Sequence, residues 1–163
     1  MTAWTIGIDP GATGAIAVLN ERGDLDVVHD MPYADGQVIA PLLARMIAEY
    51  INQLDPAYDS VTCWVEQVRS RPGQSAPGMW KFATGYGVIL GVLGALDVPV
   101  RHVTPAVWKR NLGLTKDKGT SRRLACELWP AHAASFARVK DDGRAEAALI
   151  ALYGWQAAQQ VTA

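Results

Sequence analysis

The stretch WTIGIDPGATGAIAVLN, residues 4–20, constrains this chain more than any other. Apolar and β-branched residues flank a tight turn, which predicts two paired strands. Yet Asp9 sits inside the first apolar run. A carboxylate taken out of water costs several kcal/mol unless it is paired or holds a metal. The turn PGATG either cradles a phosphate or reverses the chain so that a second strand pairs beside Asp9. Both readings require a sheet and a partner for one carboxylate.

The rest of the chain supplies the sheet. LDVVHDM follows as a third strand, completing a meander. GQVIAPLLARMIAEYINQLD has apolar residues at 38, 39, 42, 43, 46, 47, 50 and 51, the period of a helix. SVTCWVEQV is a fourth strand ending at Glu66, and VPVRHVTP a fifth. Between them MWKFATGYGVILGVLGALD, nearly uncharged and with glycines at 85, 87, 91 and 94, reads as a buried helix. Each glycine costs a helix about 1 kcal/mol against alanine; small residues there let another backbone approach, either the sheet or the same helix of a second subunit. AVWKRNLGL is a short helix, TKDKGTS a flexible basic loop, and TSRRLACELW and DGRAEAALIALYGWQAAQQ are the closing helices. The expected fold is α/β, a mixed five-stranded sheet flanked by helices, with residues 1–163 forming one domain.

Composition excludes several classes. No apolar run is long enough for a membrane span, and the start lacks the basic region of a signal peptide. Cys63 and Cys126 form no pair motif and read as buried thiols of a cytoplasmic protein. His29, His102 and His132 are scattered, without metal-ligand spacing, and read as structural. There is no nucleophile elbow, Walker A loop or dinucleotide fingerprint. The net charge of −1 hides an asymmetry: residues 1–65 carry −7 and residues 66–123 carry +7. Either this is solvated surface or one face of the fold meets a polyanion.

Four acids stand where acids are costly. Asp9 lies in the first strand, Glu66 closes the fourth, and Asp142 and Glu146 open the last helix four residues apart, on one face. Singly, Asp142 reads as a helix N-terminal charge and Glu66 as a strand-end surface residue. Asp141 is an alternative first member, or a cap. Together, four carboxylates on three elements suit a hard cation such as Mg²⁺. Two such ions about 3.5–4 Å apart can activate a water and stabilise a leaving oxygen in phosphodiester hydrolysis.

These residues carry a family resemblance. IGIDPGATGAIAV resembles the opening strand pair of the RuvC Holliday junction resolvases, of the RNase H-like superfamily. VEQV is similar to their second acidic motif and DDGRAEAALIALYG to their third; VTPAVWKRNLGLTKDKGTSR resembles their lysine-bearing stretch. The resemblance implies an RNase H-like fold and a homodimer that resolves four-way DNA junctions by symmetrical nicks. It implies Mg²⁺, or Mn²⁺ in its place, with two ions per site held by Asp9, Glu66, Asp142 and Glu146. Lys109 matches one family lysine, and Lys118, or Lys116, a second with a catalytic role. Phosphate contacts are then expected from Arg69, Arg71, Lys81, Lys109, Arg110, Lys116, Lys118, Arg122 and Arg123, and dimerisation through the 79–96 helix. The chain also departs from the pattern. The third motif spaces its acids four apart rather than three, and Arg69 stands where the family often has an aromatic wedge, so that Met79, Trp80 or guanidinium stacking must take its place. A branch-migration helicase partner is not identifiable. Two alternatives stay open: a related nuclease acting on flapped DNA or RNA, and a nucleotide-binding domain of the actin and sugar-kinase type, which the short chain disfavours.

Overall fold

The structure, a computed structural model, describes residues 2–54, 59–67, 73, 75–115 and 117–162. Strands β1 (Thr2–Asp9), β2 (Ala15–Leu19) and β3 (Leu25–Asp30) form the antiparallel meander. β4 (Tyr33–Ala34) and β5 (Gln37–Val38) make a small separate hairpin before α1 (Ala40–Ile51). Then come β6 (Asp59–Glu66), α2 (Ala76–Ala95), β7 (Val100–Val103), α3 (Pro105–Asn111), α4 (Lys118–Leu128) and α5 (Asp142–Thr162). Short 3₁₀ segments, Pro130–Phe136 and Val139–Asp141, join α4 to α5.

The sheet runs β3-β2-β1-β6-β7, with β1–β6 and β6–β7 parallel. It is the expected mixed five-stranded sheet. α5 packs on β1, β2, β3 and β6. Both faces are covered, so β2 is buried at every position: Ala15, Ala17 and Leu19 join the core under α5, while Ile16 and Val18 join the core shared with α1 and α2. The small residues on the α5 side are a condition of the fold. A methyl at Gly7 would run into the backbone of Ala147 and Ala151, so only glycine lets β1 and α5 lie this close.

Three expectations are corrected. The periodic pattern from residue 38 is not all helix: Val38 pairs with Tyr33, and α1 starts at Ala40 with Pro41 in its first turn. The expected basic loop 115–121 is partly helix, because Asp117 caps α4 by accepting from the Gly119 N–H at 3.0 Å. The glycine-rich helix is buried along one stripe only, Gly85, Ile89 and Leu93; Gly87, Gly91 and Gly94 are exposed. Cys63 is buried, Cys126 half-buried, and both are free. Among the described residues no helix is long and apolar enough to cross a membrane.

Candidate active site

Parallel pairing of β1 with β6 runs to Ile8 opposite Val65, so Asp9 and Glu66 end neighbouring strands side by side. The other two acids are brought to the same end by α5. Its first turn lies against the β1–β2 turn so closely that a methyl at Gly143 would overlap the Thr13 carbonyl oxygen. Asp142 and Glu146 therefore start a helix whose origin is fixed beside Asp9.

Each of three acids has a defined partner. Glu66 is buried, 6% exposed, and its Oε1 accepts from the indole N–H of Trp108 at 2.9 Å. Glu146 Oε1 accepts from Lys109 Nζ at 2.7 Å, and Asp142 Oδ1 from Arg122 Nε at 2.7 Å. The like charges at i and i+4 are thus each met by a cation, as their spacing requires. Lys109 Nζ also lies 5.0 Å from the Trp108 ring centroid, within cation–π range. One short helix, α3, supplies the partners of two acids on two different elements.

Asp141 has a separate environment. It is 2% exposed and is bonded by the guanidinium and backbone N–H of Arg138, with Arg144 beside it. The Arg138 hydrogen bonds hold its carboxyl down at about 2. Arg144 also binds Asp30 with two bonds, Nε to Oδ1 at 2.6 Å and Nη2 to Oδ2 at 2.7 Å, lowering that carboxyl too. Asp141 thus ties the turn before α5 to its first turn, and Arg144 ties that turn to β3. Arg122 bonds Asp142, whereas Asp141 is held by Arg138 with Arg144 beside it.

Four carboxylates without thiolate or imidazole suit a hard cation and not a soft one. Among the described residues, no three acid, histidine or cysteine side chains stand close enough to close around an ion as they are; Asp142 and Glu146 are turned to their cations. Beside Lys109 an open groove of about 620 Å³ is lined by Pro105, Ala106, Arg110, Leu114 and Thr115.

By sequence, no family model matches the chain, and no curated protein matches it. Solved structures do. RuvC of Thermus thermophilus in complex with a Holliday junction substrate superposes with a TM-score of 0.67 at 16% identity, covering 96% of both chains. The fold is that of RuvC. A second T. thermophilus RuvC structure gives 0.58 at 19% identity, again over 96% of both chains. The yeast mitochondrial Holliday junction resolvase Ydc2 gives 0.57 at 18% identity, over 96% of this chain and 80% of its own.

Within this RuvC-like fold the expected cations divide. Lys109 and Arg122 stand among the acids, and Arg110 faces the groove beside them. Lys81 is exposed on α2. Arg123 lies on the outer side of α4, 4.0 Å from Glu127 of the same helix. Arg69, Arg71 and Lys116 fall outside the described residues, as does the side chain of Lys118, whose backbone opens α4. Of the two wedge candidates, Met79 is partly exposed and Trp80 is 75% exposed. Trp108 was not expected at the site. Its signal was faint: a tryptophan beside a lysine, reading as core, when its N–H also needs a partner.

Proposed function

We propose that this protein is a metal-dependent, structure-selective endonuclease that resolves four-way DNA junctions by symmetrical nicking. The observation that carries this reading is the gathering of Asp9, Glu66, Asp142 and Glu146 at one end of a RuvC-like sheet, with Lys109 and Arg122 among them. The four acids would hold two Mg²⁺ ions, for which Mn²⁺ could substitute. Bound there, the metal supplies charge stabilisation at the scissile phosphate and makes water a better nucleophile at neutral pH.

The chain's own residues do the rest. Lys109 and Arg122 neutralise acids until DNA is present and then face its backbone. Lys118, or Lys116, stabilises charge that builds on the phosphorane. Arg110, with Arg69, Arg71, Lys81 and Arg123 further out, grips phosphates, which positions DNA without reading bases and makes binding fall steeply with salt. Trp80, which is large, aromatic and exposed, takes the wedge role at the junction. A junction with two-fold symmetry calls for two sites, and the uncovered Gly87, Gly91 and Gly94 face of α2 is the surface through which a second copy docks.

The test is a synthetic four-way junction beside flap, fork and duplex controls, each with Mg²⁺ or with chelator. Paired symmetrical nicks confined to the junction and abolished by chelation are expected. Cleavage of flaps alone would reassign the substrate, and cleavage in chelator would remove the metal from the reading.

A further inference from the structure

The geometry points to Trp108 as the residue that positions Glu66 for metal binding, a role that rests on the reading of the four acids as a metal site. Trp108 is wholly buried, and its indole N–H meets Glu66 Oε1 at 2.9 Å. An indole is a donor with no acceptor and no charge. It can fix the direction of a carboxylate without neutralising it and without itself competing for a cation. Unlike an indole, the ammonium and guanidinium that meet Glu146 and Asp142 carry positive charge. The indole N–H holds one oxygen of Glu66 and adds no positive charge to it.

The hold is stiff because it is built from the backbone up. β7 pairs with β6 in a register that puts Val103 opposite Glu66, and the Gln67 N–H donates to Val103 O at 2.7 Å. Thr104 is the N-cap position of α3, and Trp108 stands in the first turn of that helix, five residues beyond the residue paired with Glu66. The ring is locked in the core with Val103, Ala145 and Leu149 and cannot follow a moving carboxylate. Lys109, stacked on the same ring, ends on Glu146. Burial of the tryptophan alone would explain its size but not its N–H aimed at an acid at a strand end.

Trp108→Phe keeps a buried ring and removes the N–H. Loss of such an outer partner typically costs 10–100-fold in metal affinity. We expect Mn²⁺ binding to the full chain without DNA, followed by paramagnetic resonance, to weaken at least about ten-fold. Metal-free junction binding should be unchanged, and cleavage should return as Mn²⁺ is raised. Should the variant fold poorly, the wild type carries the test: the Trp108 indole N–H resonance, assigned in nitrogen-15-labelled protein, should move as Mg²⁺ is titrated, and should not move in Asp9→Asn. If the wild type binds Mn²⁺ and cleaves junctions while Trp108→Phe binds Mn²⁺ equally well, or the wild-type resonance stays still, the positioning role is overturned and the metal site stands. If the wild type binds no Mn²⁺, both fall together.

Discussion

Gly143→Ala separates the effect of position from the effect of chemistry, because it changes no acid. In an exposed helix, replacing glycine by alanine gains about 1 kcal/mol. At Gly143 the new methyl would stand 3.0 Å from Gly14 Cα and overlap the Thr13 carbonyl oxygen, neither of which is a side chain that can turn away. Apolar contact begins near about 3.5 Å, so the start of α5 and the β1–β2 turn must part by about 1 Å. Overpacking of this kind costs roughly 1–3 kcal/mol, enough to cancel the helix gain and leave a net loss of up to about 2 kcal/mol. For a chain this size that lowers Tm by up to roughly 8 °C at about 2–4 °C per kcal/mol. The same 1 Å moves Asp142 and Glu146 relative to Asp9, and displacements of that size cost about 10²-fold in rate. Thermal unfolding by circular dichroism and single-turnover junction cleavage read the two effects. A variant as stable as the wild type or more so, cleaving at the wild-type rate, refutes the close-packing account of how α5 is placed.

Asp9→Asn should retain junction binding in a mobility-shift assay and lose cleavage; nicking at the wild-type rate would remove Asp9 from the site. Because Arg138 holds the Asp141 carboxyl at about 2, below the ordinary 3.8, this pair stabilises the fold above 3.8 and the gain is lost as pH falls toward about 2. Urea unfolding across that window should show a pH-dependent loss in the wild type that Asp141→Asn lacks, and equal slopes would contradict the pairing. Gly91→Leu, where nothing lies within 4 Å of an added Cβ, should fold normally but run as a monomer in light scattering and nick junctions singly; a persisting dimer would move the interface elsewhere.

Much of this fold was legible because apolar runs and turn residues mark strands directly. The missed pieces had local signals of a finer kind. Asp35 and Gly36 both have positive φ, 52° and 81°, the conformation of a tight hairpin turn that an Asp-Gly pair favours. That turn explains why Val38 belongs to β5 although its spacing fits a helix. Asp117 similarly announced the start of α4. The acids were legible singly because a carboxylate among apolar neighbours demands an explanation. Their partners were not. Arg122 lies 20 residues from Asp142 and Lys109 lies 37 from Glu146, and no periodicity connects such pairs before the chain is folded.

Strand order supplies the connection. With β6 between β1 and β7, the parallel strands end on one side, so Asp9, Glu66 and the start of α3 arrive together. Consecutive residues on a helix point about 100° apart, which lets Trp108 reach back to β6 while Lys109 reaches across to α5. A seven-residue helix thereby spans the gap between a strand-end acid and a helix-borne acid, a task that two adjacent strand residues, facing opposite sides of a sheet, could not perform. The dipeptide Trp108-Lys109 is therefore best understood by its direction: one residue fixes an acid without altering its charge, and the other balances the charge of an acid on the far side.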